Sequence, residues 1–267
     1  MTRPLKRYSQ HFLINPHYPL KIVEALNIQP DDWVLEIGPG KGALTRHIVA
    51  AQPRHFFAVE IDQQLAQSIR NEFGPKVDVI GEDFINFNLQ DPNRLEGKKY
   101  KVIGNLPYHI TSPILFKLID NYQWIDLAVL MMQKEVAQRL IAVPGNKDYG
   151  ILSVVSQTYS KVEYLFEVRR GNFYPVPQVD SAVLRLSFYQ TIGDIDNEPF
   201  YRHLVRVVFN QRRKMLRNSL SRILQKSIVY SLTPHFLDRR PEELTVEEFK
   251  SLANELYHIS GAFDDSN

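Results

Sequence analysis

The sequence contains no cysteine, which excludes disulfide bonds and thiolate chemistry. It also lacks any apolar run near the roughly 18 residues that a transmembrane helix needs. The N-terminal segment 1–12 is basic overall, but it has no apolar core of the kind found in a signal peptide. With 44% hydrophobic and 23% charged residues among 267, the composition is that of an ordinary globular protein. We therefore expect a soluble, cytoplasmic protein that does not attach to membranes.

Acidic residues are absent between positions 200 and 237, although the net charge of the whole chain is only +2. The basic residues in that stretch are Arg202, Arg206, Arg212, Arg213, Lys214, Arg217, Arg222 and Lys226. Acidic residues return from Asp238 onward. This asymmetry predicts a basic face that meets an anion, most simply a phosphate backbone. Charge alone is equally consistent with a solvated helix face that has no partner.

Residues 33–188 alternate between short apolar runs typical of strands and segments with helical spacing. The apolar runs are 33–37, 55–60, 77–81, 100–104 and 127–132. This alternation predicts an α/β fold with a mainly parallel sheet and helices on both faces. Two later runs, 162–168 and 181–188, have no helical segment between them. We expect them to pair as an antiparallel hairpin at the edge of the sheet.

The pattern becomes helical after residues 189–199, which have the composition of a linker. We therefore expect a first domain at 1–190 and a small helical domain at 191–267. A helix over 214–224 would place Leu216, Leu220, Ile223 and Leu224 on one face. Thr245 and Glu248 have the spacing of a capping box that opens the last helix.

A glycine-rich turn, EIGPGKG at residues 36–42, joins the first predicted strand to the helix after it. Glycine at positions 38 and 40 lets the backbone turn sharply and approach a ligand closely. Together with Ala43, these glycines satisfy the dinucleotide-binding pattern, so Glu36, Gly38 and Gly40 are candidate cofactor-binding residues. A tight turn without a ligand and a nicotinamide site are the alternatives at this point.

Polar side chains stand at the ends of the next strands. Glu60 ends the second strand, where a carboxylate can accept both hydroxyls of a ribose. Asp83 follows the third strand and is suited to the amine of an adenine ring, and Asn105 follows the fourth. Ligands of open parallel sheets bind beyond the carboxyl ends of the strands, so these groups are expected to converge on one crevice.

The tetrapeptide Asn105-Leu106-Pro107-Tyr108 stands at the end of the fourth strand. Its oxygens can accept the hydrogens of a planar amine while the ring of Tyr108 stacks on the attached base. Such acceptors localise the amine lone pair and aim it at an electrophile, which is catalysis by positioning and electrostatics. The alternative is a turn braced by proline with no chemical role.

These motifs resemble the ribosomal RNA adenine dimethyltransferase family. EIGPGKG, the glutamate of VEID, GED and NLPY occur in the order and spacing of that family. The resemblance extends to SQHFL (9–13), QKEVAQR (133–139), NFYPVPQVDSAV (172–183) and FNQRRKMLRNSL (209–220). It therefore covers most of the chain, from about residue 6 to residue 220 or beyond. The NLPY form and the basic RRK helix are more similar to the branch that modifies small-subunit RNA than to the macrolide-resistance branch.

The resemblance implies a Rossmann-like class I methyltransferase with a seven-stranded mixed sheet and a small all-helical C-terminal domain. It implies contacts from His11, Leu13, Glu36, Gly38, Gly40, Glu60, Asp83 and Asn105 to S-adenosylmethionine. His11 stands where the family usually has asparagine, and Gln178 where it often has lysine. The aromatic residue at the position of Phe173 is expected to pack on the target base opposite Tyr108. The alternative for Phe173 is an ordinary core residue.

The implied reaction is dimethylation of two adjacent adenosines in the terminal hairpin of small-subunit RNA. No metal is expected, and the protein is expected to be a monomer that acts on RNA or on the immature small subunit. Phosphate contacts are expected from Arg212, Arg213, Lys214 and Arg217. The alternatives are a nicotinamide dehydrogenase, an RNA-binding ribosome-assembly factor, and a methyltransferase for large-subunit RNA.

Overall fold

The computed structural model describes residues 11–91, 97–221 and 234–259. The strands are β1 (Phe12–Leu13), β2 (Trp33–Ile37), β3 (His55–Val59), β4 (Asp78–Ile80), β5 (Tyr100–Asn105), β6 (Ile125–Gln133), β7 (Ser160–Val168), β8 (Phe173–Tyr174) and β9 (Ser181–Phe188). The helices are α1 (His17–Leu26), α2 (Thr45–Ala51), α3 (Gln63–Phe73), α4 (Thr111–Asp120), α5 (Lys134–Leu140), α6 (Ile151–Tyr159), α7 (Glu198–Phe209), α8 (Leu216–Leu220), α9 (Pro234–Leu237) and α10 (Val246–Ile259).

Seven strands form one mixed sheet in the order β4-β3-β2-β5-β6-β9-β7. The pairs from β4 to β6 are parallel, whereas β9 runs antiparallel to both β6 and β7. The predicted α/β fold with an antiparallel pair at one edge is therefore confirmed. Strand β2 is buried along its whole length, as expected for a central parallel strand covered on both faces.

The register of the central strands brings their carboxyl ends level with one another. Ile37 at the end of β2 lies beside Val59 of β3 and beside Gly104 of β5. Residues that end or directly follow these strands consequently meet at one edge of the sheet. They include the glycine turn, Glu60 and Asn105.

A separate two-stranded ribbon, formed by β1 and β8, was not foreseen from the sequence. Phe12 pairs with Tyr174, and Leu13 pairs with Phe173. Just beyond the ribbon, the amide of Ile14 donates to the carbonyl of Asn172 at 2.9 Å. The ribbon thus joins two motifs that lie about 160 positions apart in the chain, since Phe12 and Tyr174 are direct partners.

The chain divides into two compact units, one of residues 1–137 and 160–190 and one of residues 138–159 and 191–267. The sequence pattern predicts that 138–159 belongs to the first domain, because this segment lies between two strands of the sheet. Buried tyrosines attach it to the second unit instead. Tyr149 donates to the carbonyl of Leu244 at 2.8 Å, and Tyr159 donates to Glu198 at 2.8 Å.

The second unit is helical in the residues that the structure describes, as predicted. The capping box at the start of α10 is present: the Thr245 amide donates to the Glu248 carboxylate at 2.8 Å, and the Glu248 amide donates to the Thr245 hydroxyl at 3.1 Å. Helix α8 is shorter than the predicted helix over 214–224. Leu216 and Leu220 are buried as expected, whereas positions 223 and 224 lie outside the described residues.

No helix among the described residues has the length and apolar character required to cross a membrane. Within the same ranges, no three His, Cys, Asp or Glu side chains are grouped so that they could hold a metal ion.

Candidate active site

A cavity of about 380 Å³ opens at the carboxyl ends of β2, β3 and β5 in the first unit. This volume lies within the range of sites for small organic ligands. The predicted site residues that line it are His11, Leu13, Glu36, Gly38, Gly40, Glu60, Asp83, Asn105, Leu106, Pro107 and Tyr108. Residues far apart in sequence are therefore brought to one surface, as expected for strand ends of a parallel sheet.

The glycine turn adopts backbone angles that favour glycine. Gly38 has φ = +66° and Gly40 has φ = +57°, both in the left-handed region. A Cβ atom added at Gly40 would lie 3.2 Å from Cε1 of Phe12. Glycine at position 40 thus allows the turn to approach the β1–β8 ribbon closely, and both lie in the cavity wall.

Glu60 is 4% exposed and accepts a hydrogen bond at each carboxylate oxygen. The Gly40 amide donates to Oε2 and the Asp62 amide donates to Oε1, both at 3.0 Å. Burial raises the pKa of Glu60, and the bonds from backbone amides oppose that shift. Each oxygen keeps a lone pair, so the carboxylate is able to accept two further hydroxyl groups, as a ribose diol would supply.

Glu36 is 1% exposed and accepts a hydrogen bond of 2.7 Å from the Thr45 hydroxyl. Burial raises the pKa of Glu36 to about 8, the Thr45 bond opposes the shift, and the nearby Glu60 carboxylate adds to it. The side chain is therefore mostly a neutral carboxylic acid at pH 7, which gives this cavity wall a hydrogen-bond donor as well as acceptors.

We expect Glu36→Gln to stabilise the protein above pH 8 relative to the wild type, and to change little below pH 4.5. The folded-state pKa of about 8 exceeds the ordinary value of 4.5, so the wild type loses stability as pH rises from 4.5 through 8. Glutamine does not titrate and still accepts from Thr45. Each pKa unit corresponds to about 1.4 kcal/mol, so the total effect is on the order of several kcal/mol.

Urea unfolding at pH 5 and pH 9 measures this difference. The exposed Glu135→Gln serves as a control for the loss of a carboxylate at the surface. A pH-independent difference for Glu36→Gln would show that the buried carboxyl titrates normally.

Asp83 lies in the wall beside two apolar side chains that the sequence reasoning missed, Ile61 and Phe84. The Ile85 amide donates to Asp83 Oδ1 at 2.9 Å, which fixes the carboxylate. Phe84 is buried and Ile61 is 40% exposed. A polar acceptor flanked by apolar surfaces suits an aromatic ring with an amine substituent. The sequence does offer a signal for these two residues, which is their position: Ile61 directly follows Glu60, and Phe84 directly follows Asp83.

Asn105 is held by a contact from the N-terminal segment. Its Nδ2 donates to the backbone carbonyl of His11 at 3.0 Å, which orients the side-chain amide and leaves Oδ1 as an acceptor. The carbonyl of Pro107 already accepts from the Thr111 hydroxyl at 3.0 Å and from the Ile110 amide at 3.2 Å. Among the described residues none donates to the Leu106 carbonyl, so this oxygen is the backbone acceptor that remains in the tetrapeptide.

Tyr108 is fixed at both its hydroxyl and its ring. The hydroxyl shares a hydrogen bond of 2.8 Å with the buried Ser181 hydroxyl, and burial raises the pKa of Tyr108, so the phenol is neutral at physiological pH. The His11 ring lies 5.2 Å from the Tyr108 ring, centroid to centroid, and His11 Nδ1 bonds to the Pro175 carbonyl at 2.8 Å. The contact of His11 with the cofactor stays a prediction.

Phe173 is not brought to the cavity. It is 1% exposed and belongs to the hydrophobic core, whereas the adjacent Tyr174 lines the cavity and is 61% exposed. Neighbouring residues of a strand point to opposite sides, so only one of two adjacent aromatics faces the ligand. The motif at 172–183 identifies the segment that contributes to the site, but it does not show which of the two adjacent aromatic side chains faces the cavity. The core interpretation therefore describes the position of Phe173, and a base contact from it is not supported by this geometry.

The predicted RNA-binding residues lie in the second unit and differ in their contacts. Arg212 forms an ion pair with Glu242, and Arg217 forms one with Asp238 at 2.9 Å. Arg213 and Lys214 are exposed and make no ion pair with the described residues. Both line a surface groove together with two further cations, Lys147 and Arg240, which the sequence reasoning missed. The groove therefore combines basic residues from three separate stretches of the chain.

Comparison with known proteins gives concordant matches. A profile of the family described as ribosomal RNA adenine dimethylase matches residues 2–257. A protein of Chlorobium phaeobacteroides (strain BS1) named ribosomal RNA small subunit methyltransferase A is 48% identical over 251 residues, which cover 94% of this chain and 93% of that protein. A dimethyladenosine transferase from Plasmodium falciparum has a similar structure, with a TM-score of 0.79, 26% identity, and coverage of 94% and 98% of the two chains. The 23S rRNA methyltransferase ErmE follows with a TM-score of 0.69, 26% identity, and coverage of 94% and 100%.

Proposed function

Because the chain belongs to the ribosomal RNA adenine dimethylase family, we propose that it uses S-adenosylmethionine to dimethylate two adjacent adenosines in the terminal hairpin of small-subunit RNA. Membership agrees with the resemblance identified from the motifs. The observation that carries the reaction is the pair of oxygens left for an amine, Asn105 Oδ1 and the Leu106 carbonyl, beside the fixed ring of Tyr108.

The cavity fits the cofactor in three respects. The positive φ values of the glycine turn allow close approach to a ligand, the Glu60 oxygens can accept a ribose diol, and Asp83 with its apolar neighbours suits an adenine ring. S-adenosylmethionine, when bound, supplies an electrophilic methyl group. We assign the cofactor contacts to Gly38, Gly40, Glu60 and Asp83, with Leu13 and Glu36 completing the wall.

The tetrapeptide prepares the target amine for transfer. The lone pair of an adenine amine is delocalised into the ring, so the nitrogen is a poor nucleophile. Asn105 Oδ1 and the Leu106 oxygen accept the two amine hydrogens, which favours a localised lone pair aimed along one direction. Tyr108 stacks on the base and sets its plane. An adenine in a stack has to be extruded before it can enter the cavity.

The second transfer to the same nitrogen imposes a further requirement. When the first methyl group bonds to the nitrogen, the sulfur–methyl bond of the cofactor breaks and the amine releases one proton to water. The amine then keeps a single hydrogen, so only one of the two acceptors remains engaged. The base then has to reorient on the Tyr108 ring. A stacking contact permits this rotation because it has little directional preference within the ring plane, unlike a hydrogen bond.

The small subunit is the favoured substrate for two reasons. Relatives named ribosomal RNA small subunit methyltransferase A are 38% to 48% identical to this chain. The large-subunit enzyme ErmE has 26% identity and a lower TM-score than the dimethyladenosine transferase. A role in RNA binding alone, without catalysis, gives no reason for a cavity in which a fixed amide and a fixed tyrosine lie together.

We assign phosphate binding chiefly to Arg213 and Lys214. We expect their joint replacement by alanine to weaken RNA binding and to reduce the salt dependence of log K by about 0.7 to 0.9 per charge removed. Arg212→Ala is the matched variant, because Arg212 is already engaged by Glu242 and by the Asn146 carbonyl. Arg212→Ala should lower the melting temperature, and it should weaken RNA binding less than the double variant does. RNA titrations at several salt concentrations measure the affinity and its salt dependence, and thermal unfolding measures the melting temperature. Equal salt slopes for wild type and double variant would contradict the assignment.

The proposed reaction is tested with radiolabelled S-adenosylmethionine and unmethylated small ribosomal subunits, with large subunits as the control. We expect label in dimethyladenosine of small-subunit RNA. Label in large-subunit RNA alone would assign the protein to the macrolide-resistance branch. Cofactor binding without label in either RNA would refute the proposed substrate.

A further inference from the structure

We propose that Tyr174 is a stacking platform for the nucleobase next to the target adenine. This inference rests on the proposed function and extends its site beyond the cavity to the neighbouring nucleotide. Tyr174 lines the same cavity as Asn105 and Tyr108, yet it is 61% exposed. A residue that lines the cavity and is also exposed lies at its mouth. The RNA backbone that carries an extruded base has to pass there.

Exposed apolar side chains follow both strands of the ribbon that carries Tyr174. Ile14 and Val176 are each 60% exposed, and Ile14 also lines the cavity. No ring among the described residues stacks on Tyr174. Single exposed apolar residues are common, but two of them in the wall of one ligand cavity, Tyr174 and Ile14, indicate a binding surface. Every nucleobase has a flat π-face, so an exposed aromatic ring beside a base-binding cavity suits a base.

The platform is held in place before any RNA binds. Tyr174 pairs with Phe12 in the β1–β8 ribbon, and His11 Nδ1 bonds to the carbonyl of Pro175 at 2.8 Å. On the far side of the ribbon, Asn15 Nδ2 donates to Asn172 Oδ1 at 2.8 Å. A fixed backbone on both sides lowers the ordering cost when a base stacks on the ring.

The proposed substrate supplies the occupant. Extruding one adenine costs a few kcal/mol and leaves its neighbour without a stacking partner on that side. With two adjacent adenosines, the neighbour of the base in the cavity is the other adenosine. Stacking of that neighbour on Tyr174 offsets part of the extrusion cost, and it keeps the second adenosine at the mouth for its own turn.

The test compares wild type, Tyr174→Phe and Tyr174→Ala by their dissociation constants for the hairpin RNA and their single-turnover rates. We expect Tyr174→Ala to weaken RNA binding about 5- to 160-fold, the range for loss of one stacked base. Tyr174→Phe keeps the ring and should bind like the wild type. The single-turnover rate at RNA concentrations below the dissociation constant should fall by the same factor as the affinity in Tyr174→Ala, and Tyr174→Phe should restore it.

A second RNA, abasic at the position of the neighbouring adenosine, identifies the base that stacks. Wild type and Tyr174→Ala should bind this RNA equally, because the partner of the ring is gone. An undiminished effect of Tyr174→Ala on the abasic RNA, or no effect on the intact RNA, would overturn the inference. Absence of methylation by the wild type would refute the proposed function instead, and the binding comparison would still decide the inference.

Discussion

Replacing Asn105 with alanine is expected to lower kcat for methyl transfer by about 10²- to 10³-fold, the range for loss of one preorganised hydrogen-bonding group that acts on a reacting centre. The variant loses Oδ1, one of the two oxygens that would accept the amine hydrogens. It also loses the Nδ2 bond to the His11 carbonyl, which is worth about 1 kcal/mol. The cofactor dissociation constant should therefore change by less than about tenfold. Single-turnover methylation of small subunits and calorimetric cofactor binding measure the two effects separately.

Asn105→Asp is the matched control for that experiment. Aspartate has the same shape and keeps an oxygen at the acceptor position, but it cannot donate to the His11 carbonyl. We expect its rate to lie between those of the wild type and Asn105→Ala. If the alanine variant methylated small subunits at the wild-type rate, Asn105 would not be the residue that holds the amine.

Glu60→Ala is expected to weaken cofactor binding by about 100-fold or more. The carboxylate would accept two ribose hydroxyls, and hydrogen bonds to a charged group contribute about 1.5 to 3 kcal/mol each. The variant also leaves the amides of Gly40 and Asp62 without their acceptor, so we expect a lower free energy of unfolding as well. Calorimetric titration with S-adenosylmethionine, well below the melting temperature, measures the loss of affinity in folded protein.

Two further variants separate the contributions of Glu60. Glu60→Gln keeps one oxygen acceptor and should fall between wild type and alanine in affinity. Glu72→Ala removes an exposed glutamate that pairs only with Arg46 among the described contacts, and it should bind the cofactor normally. An unchanged dissociation constant for Glu60→Ala would remove this residue from the proposed cofactor site.

The sheet was predictable because each of its strands carries a local signal. The run 33–37 is apolar except for Glu36, which is typical of a strand buried on both faces. The polar residues at strand ends were also readable, since Glu60, Asp83 and Asn105 each follow an apolar run. Parallel strands end at one edge, so their convergence follows from topology without knowledge of any side-chain contact.

Features that depend on contacts between distant segments could not be read in the same way. Arg212 and Arg217 stand in a stretch without acids, yet Glu242 and Asp238, from beyond that stretch, pair with them. The side on which Tyr174 and Phe173 lie depends on the register of Tyr174 against Phe12, which no local pattern specifies. The orientation of the Asn105 amide depends on the His11 carbonyl, 94 positions away.

The second unit is built from two stretches that are not contiguous in the sequence, 138–159 and 191–267. Tyr149 and Tyr159 in the first stretch bond to Leu244 and Glu198 in the second. An exchange of this unit between relatives therefore has to transplant both stretches together, because the first alone lacks the acceptors for its tyrosine hydroxyls and the second alone lacks these donors. Over evolutionary time the sequences of the two stretches are expected to change together, because they form one structural unit that is interrupted in the sequence by part of the other unit.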